Sequence, residues 1–317
     1  MKTLVIYTGG TIGMVKDVTS GALKPGSIKG IEQFLLEEGL MTYCKVKSTN
    51  KALDSSNFNK KYYSELSTLI KENYSLYDAF LVLMGTDTMA YISALLSFCT
   101  SGLSKPILFT GGQKTLYEEG SDSVNNLKEA VLGLVENKFF NEVGVYFSEK
   151  WHRAVSVTKI HSKDFDAFKS TDNPNYSVNL NEEFGIITEV SANISILKIT
   201  PFDEENVLFA LLNDKNINAI ILEIFGSGNI PDFSEELKQL FKHRINQGLK
   251  VVVTSQCMYG GLEIGRYETS LNISSLGFLN GGSMTKEAIV GKLMSLIEKK
   301  LNIQEFRLNF ENSIRGE

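Results

Sequence analysis

The feature that most constrains this chain is a repeated alternation between short, predominantly apolar runs and longer amphipathic ones. "TLVIYT" (Thr3–Thr8), "AFLVLM" (Ala79–Met84), "PILFT" (Pro106–Thr110) and "EVGVYF" (Glu142–Phe147) lack the in–out pattern of a half-exposed strand. Runs of this kind belong to strands covered on both faces. Between them, Asn59–Asn73, Thr88–Cys99 and Ser121–Val135 place apolar residues at i, i+3 and i+4, one face of a helix. Buried strands separated by helices predict parallel pairing through helical crossovers.

The stretch from Lys163 to Glu183 interrupts the pattern. It is poor in aliphatic residues, contains Pro174, and reads as a long loop. A second series follows: "ISILKIT" (Ile194–Thr200), a helix near Glu204–Leu212, and "INAIILEIF" (Ile217–Phe225). A helix near Phe233–Asn246, "LKVVVTS" (Leu249–Ser255) and a closing helix over Thr285–Lys299 complete it. The expected fold is α/β in two domains, residues 1–186 and 187–317, each a mainly parallel sheet with flanking helices. A chain of 317 residues is long enough for both cores.

Charge and cysteine content narrow the functional classes. The net charge is −5, from 37 acidic against 32 basic side chains, and no Lys/Arg stripe stands out. A nucleic-acid partner is therefore not expected. The first apolar segment is broken by Thr8-Gly9-Gly10, short of the roughly 7–15 apolar residues of a secretory leader or the about 20 of a membrane span. The expectation is a cytoplasmic protein with no membrane partner. Cys44, Cys99 and Cys257 are far apart, without a C-x-x-C pair, which suits buried thiols in a reducing compartment and excludes a zinc site.

Four strand ends carry polar or glycine-rich sequence: "TGGTIG", "GTDTMA", "TGGQ" and "FGSGNIPDF". Ligands of open α/β sheets bind at such ends. The first loop fails the dinucleotide pattern, since Thr11 and Met14 occupy two of the three glycine positions counted from Gly9, and no Gly-Lys-Ser/Thr follows. A hydroxyl nucleophile fits better. Thr8 and Thr11 flank two glycines that let backbone N–H groups approach a ligand. Thr86 and Asp87 supply a second hydroxyl and a carboxylate, with N-capping of a helix starting near Met89 as the alternative role. A threonine needs a base nearby. Lys159 is one candidate, an ordinary solvated lysine being the other reading. His152, His161 and His243 have no G-x-S-x-G elbow to serve, and Cys257 reads as a buried structural thiol.

Taken together, "TGGTIG", "GTDTMAY" and "TKIHSKDFDAF", in this order and spacing, resemble the bacterial L-asparaginases, most closely the cytoplasmic type I group. "ALDSSNF", "GSDSVNNL", "FGSGNIP", "TSQCMYG" and the terminal "NSIRGE" extend the likeness over nearly the whole chain. The resemblance implies the asparaginase/glutaminase-like two-domain fold and hydrolysis of the side-chain amide of asparagine, with no metal or organic cofactor. It implies Thr11 as the nucleophile, Thr86, Asp87 and Lys159 as a proton-transfer triad, and Asp54, Ser55 and Ser56 as the grip on the amino-acid end of the substrate. Backbone N–H groups near Thr86 and Gly112 would receive the oxyanion, and the chain would form homodimers or homotetramers.

Several positions depart from that pattern. Ala22 or Leu23 stands where the family carries a tyrosine beside the nucleophile, Met84 where a histidine commonly precedes "GTDT", and Gly112 where Ser or Ala precedes Gln113. Val155, Ser156 and Val157 replace a polar Asn-Arg-Thr run, and Glu223 replaces the arginine of the allosteric type I enzymes. The alternative these departures raise is a divergent, weakly active or non-catalytic amino-acid-binding homologue.

Overall fold

The apolar run at the N-terminus becomes β1 (Thr3–Gly9), buried at every position. In the computed structural model, which describes residues 2–171, 182–202, 205–263, 265 and 273–317, the chain divides into two units. In the first, β1 is followed by a hairpin of β2 (Met14–Lys16) and β3 (Leu23–Pro25), then α1 (Ile28–Glu37), β4 (Cys44–Leu53), α2 (Lys60–Asn73) and β5 (Ala79–Leu83). Next come α3 (Thr86–Cys99), β6 (Thr100–Ser101), β7 (Ile107–Thr110), α4 (Asp122–Val135), β8 (Val143–Phe147) and β9 (Lys150–Arg153). The unit closes with β10 (Val157–Lys159), β11 (Phe168–Ser170) and β12 (Gly185–Ile186).

The main sheet has six strands in the order β4-β1-β5-β7-β8-β9. β4 to β8 pair in parallel, and only β9 runs antiparallel to its neighbour. Ser148 and Glu149, both at positive φ, make the tight turn that reverses the chain between β8 and β9. On one face of the sheet, Val5, Tyr7, Leu81, Leu83 and Leu108 pack with Ile31 and Leu35 of α1 and Leu127, Val131 and Leu134 of α4. Each such fully buried side chain contributes about 1.5–3 kcal/mol.

The first unit runs past residue 186 to Val190, because β12 pairs with β6 and Ile187 N–H donates to Cys99 O. The second unit holds β13 (Ile194–Lys198), α5 (Asn206–Asn213), β14 (Ala219–Ile224), α6 (Glu235–Asn246) and β15 (Lys250–Ser255). β16 (Leu279–Asn280), α7 (Lys286–Glu298) and α8 (Ile303–Glu311) follow. Its four strands are parallel and in chain order. Alternate residues of β14 enter opposite cores, Ile220, Leu222 and Ile224 against α5 and α6, Ala219 and Ile221 against α7 and α8. Pro174, in the expected long loop, lies outside the described residues. Part of that loop is β11, which pairs with β10.

Candidate active site

The site begins where β1 ends. Thr11–Gly13 form one 3₁₀ turn after Gly9-Gly10. Gly10 has φ 81°, and a side chain there would put its Cβ 2.2 Å from the Gly85 nitrogen. Only glycine allows that approach. Gly10 N–H also donates to Leu53 O at 2.8 Å, drawing in the end of β4. The C-terminal ends of β4, β1 and β5 therefore meet, bringing Asp54–Ser56, Thr11 and Thr86 to one edge of the sheet.

The start of α3 corrects one expectation. The helix begins at Thr86, not near Met89, and its N-cap is Gly85, with no side-chain cap. Neither Thr86 nor Asp87 is the N-cap. The Thr88 hydroxyl donates to Ser55 O at 3.0 Å. Thr86, 6% exposed, instead receives a hydrogen bond from Lys159 Nζ at 2.6 Å, and the same ammonium donates to Asp87 Oδ1 at 2.7 Å. Lys159 is held in place on β10 by its ladder with Phe168. Its side chain is 16% exposed, so the solvated-lysine reading does not hold. The Thr86 hydroxyl keeps its own proton directed at Gln113 Oε1, 3.4 Å away. A hydroxyl within hydrogen-bond reach of a lysine nitrogen can pass its proton to that nitrogen when the nitrogen is neutral, the geometry a proton shuttle requires.

Thr11 Oγ1 makes no hydrogen bond to any described residue. Asp54 caps the turn Ser55–Asn57 by accepting from Ser56 N–H at 2.9 Å and Ser56 Oγ at 2.8 Å. Ser55 is buried, its Oγ lying 2.6 Å from where a Gly85 Cβ would stand. Gly112 follows β7 on the neighbouring strand end, and its N–H has no hydrogen-bond partner among the described residues. Two features went unread in the sequence. Gln113 links Thr86 to Asp164, donating from Nε2 to Asp164 O at 3.0 Å. Asp122, 8% exposed, accepts from Gln113 N–H and Lys114 N–H and so fixes the "TGGQ" loop. The available signal was an acidic residue directly after the helix-capping Ser121.

Ala22 and Leu23 lie at the end of the β2–β3 hairpin, and Leu23 lines a cavity of about 430 Å³ with Met14, Thr115 and Tyr117. Tyr7 is the tyrosine beneath the Thr11–Gly13 turn, but its hydroxyl donates to Gly26 O at 3.3 Å. Burial, followed by the charge of Tyr117, pushes its pKa to about 12, so it holds its proton near neutral pH. His152 is buried, with Nδ1 2.8 Å from Ser170 Oγ, and burial depresses its pKa. His161 Nδ1 accepts from Lys163 and Asp164 N–H groups, and His243 lies on the surface of α6. Cys257 is exposed, contrary to expectation, because the chain has already left β15. Cys44 and Cys99 are buried. Among the described residues, no three His, Cys, Asp or Glu side chains are grouped to hold a metal ion.

Two family models match the chain: "Asparaginase, N-terminal" over residues 2–189 and "Glutaminase/Asparaginase C-terminal domain" over residues 193–310. The chain belongs to the asparaginase family. L-asparaginase 1 of Escherichia coli (strain K12) is 31% identical to it over 331 residues, covering 99% of this chain and 96% of that relative. Among solved structures, the thermostable L-asparaginase from Thermococcus kodakarensis superimposes with a TM-score of 0.88 at 29% identity, covering 100% of this chain and 98% of that one. L-asparaginase I from Vibrio cholerae gives 0.87 at 29% identity, covering 99% and 98%. The whole constellation around Thr11 falls within the span of the N-terminal asparaginase model.

Proposed function

We propose that this member of the asparaginase family is an L-asparaginase, hydrolysing L-asparagine to L-aspartate and ammonia through a threonine acyl-enzyme. The observation that carries the reading is the Lys159–Thr86–Asp87 cluster beside the turn that presents Thr11. In this mechanism Thr11 Oγ1 attacks the side-chain amide carbon and passes its proton toward the Thr86–Lys159 pair. The tetrahedral oxyanion is met by backbone N–H groups near Thr86 and Gly112, a contribution of about 10²–10³-fold per donor. The C–N bond breaks, the nitrogen leaves as ammonia with a relayed proton, and water hydrolyses the aspartyl ester to restore Thr11.

Asp87 has a 67% exposed side chain and is available to the α-amino group of the substrate as well as to Lys159. Asp54 leaves one carboxylate oxygen uncommitted, and with Ser55 and Ser56 it forms the proposed grip on the amino-acid end. The proposal extends to homodimers or homotetramers in the cytoplasm. No disulfide joins Cys44, Cys99 and Cys257, which suits a reducing compartment. No helix among the described residues is long and apolar enough to cross a membrane.

The unpartnered Thr11 hydroxyl and the Ala22-Leu23 sequence favour a second reading, a slow or purely binding homologue. Loss of one acid–base partner costs about 10²–10⁴-fold in rate. Ammonia release from asparagine by the purified chain, with calorimetric titration of aspartate, separates the two. Turnover supports the enzyme, whereas tight binding without turnover refutes it.

A further inference from the structure

The first turns of α4 hold the peptide segment Gly111–Lys114 against the site. Asp122 accepts from Gln113 N–H at 2.8 and 3.1 Å and from Lys114 N–H at 2.9 Å. Asn126 Nδ2 donates to Gly111 O at 3.0 Å. Ser123, fully buried, donates from Oγ to Lys114 O at 2.5 Å, and Ser121 adds a longer bond to the same oxygen at 3.4 Å. Gly112 sits inside this clamp, with neither its N–H nor its carbonyl bonded to any described residue.

Backbone conformation does not explain the glycine, because Gly112 is not among the residues at positive φ. Space does. A Cβ on Gly112 would fall 1.8 Å from Ser123 Oγ, 2.9 Å from Ser123 Cβ and 3.0 Å from Lys114 O. The serine hydroxyl cannot swing away without giving up Lys114 O, and Ser123 is fully buried, where packing is close.

We propose that Gly112 and Ser123 form one positioning unit, in which the Ser123 hydroxyl fills the space of a side chain at 112 and holds the Gly112–Lys114 peptides toward Thr86. The unit fixes the backbone on either side of the unpartnered Gly112 N–H, and with it Gln113, whose Oε1 accepts from the Thr86 hydroxyl at 3.4 Å. The proposal rests on the amidohydrolase reading for the reaction that the unit serves. Ser123 touches no reacting atom and acts through the peptide it holds.

The test compares Gly112→Ala, Ser123→Ala, Ser123→Gly and the two double variants Gly112→Ala/Ser123→Ala and Gly112→Ala/Ser123→Gly, read by kcat, KM and thermal unfolding. Gly112→Ala is expected to lower kcat by about 100-fold or more with a much smaller change in KM, as for a displaced transition-state donor. Adding Ser123→Gly is expected to restore at least about tenfold of that loss, the mark of coupled positions. Adding Ser123→Ala is expected to restore less than Ser123→Gly, since it removes the 1.8 Å contact with Oγ but leaves Ser123 Cβ at 2.9 Å. Gly112→Ala with wild-type kcat, or a Ser123→Gly double variant no better than Gly112→Ala alone, overturns the proposal. Should Gly112→Ala not fold, Ser123→Ala alone decides: a lowered kcat with an unchanged melting temperature supports the unit, and wild-type kcat refutes it. Should the wild type not hydrolyse asparagine, the enzyme reading fails separately. The same rescue pattern is then required in aspartate affinity, and its absence refutes the unit.

Discussion

Replacing Lys159 by methionine separates a proton-transfer role from a structural one, because the two predict opposite magnitudes. Lys159 Nζ touches Thr86 Oγ1 at 2.6 Å and Asp87 Oδ1 at 2.7 Å. As a general base acting through the threonine, its removal lowers kcat by about 10²–10⁴-fold, or about 3–5 kcal/mol of transition-state stabilisation. Its contribution to folding is far smaller. Lys159 is 16% exposed but its Asp87 partner is 67% exposed, and an ion pair with one partner in solvent is worth about 1 kcal/mol, which lowers the melting temperature by about 2–4 °C. Lys159→Arg refines the test, because arginine keeps the charge but does not release its proton near neutral pH. The account expects Arg to be as inactive as Met. The assay is ammonia release at saturating asparagine, coupled to a reporter dehydrogenase, beside calorimetric unfolding of each variant. An Arg variant retaining more than about a tenth of wild-type kcat would refute proton transfer, since a loss of that size falls short of a general base.

Three further substitutions probe the frame around the site. Gly10→Ala forces a Cβ to 2.2 Å from the Gly85 backbone at φ 81° and is expected to cost at least about 3 kcal/mol in urea unfolding; a loss under about 1 kcal/mol contradicts the close approach. Tyr7 is raised from its ordinary 10.0 to about 12, chiefly by burial. Its stabilisation is whole below pH 10.0 and is lost as pH rises toward 12, about 2–3 kcal/mol in all. Tyr7→Phe is expected to lessen the alkaline loss relative to wild type, while Cys44, also raised to about 12 by burial, titrates in both proteins. Identical slopes would contradict the Tyr7 shift. Glu317→Gln leaves buried Lys292 without its carboxylate, both side chains being 1% exposed, and should cost about 3–5 kcal/mol in denaturant unfolding; a change within about 0.5 kcal/mol would show the pair to be idle.

Legibility followed the physics of burial. β1, β5, β7, β14 and β15 are covered on both faces, so their apolar runs announced them. β4 did not announce itself. It is an edge strand whose sequence "CKVKSTNKAL" exposes Lys45 and Lys51 to solvent, and edge protection by lysine erases the apolar signal. β9 escaped notice because its turn, Ser148-Glu149, uses positive φ without glycine. The candidate site was legible as motifs but not as roles. Thr86 read equally well as a helix cap until Gly85 took that place and Lys159 reached its hydroxyl. The Gly112–Ser123 contact joins residues separated by a loop, and no local pattern encodes it.

The central claim is that Thr11 carries the acyl group. The direct measurement is mass spectrometry of the enzyme quenched during asparagine turnover, with ammonia release followed in parallel for wild type and Thr11→Ala. The account predicts an aspartyl ester on the wild-type peptide containing Thr11, absent from the variant, whose ammonia release falls to background. Ammonia release that survives in Thr11→Ala, or an ester on another hydroxyl such as Thr86, would contradict it.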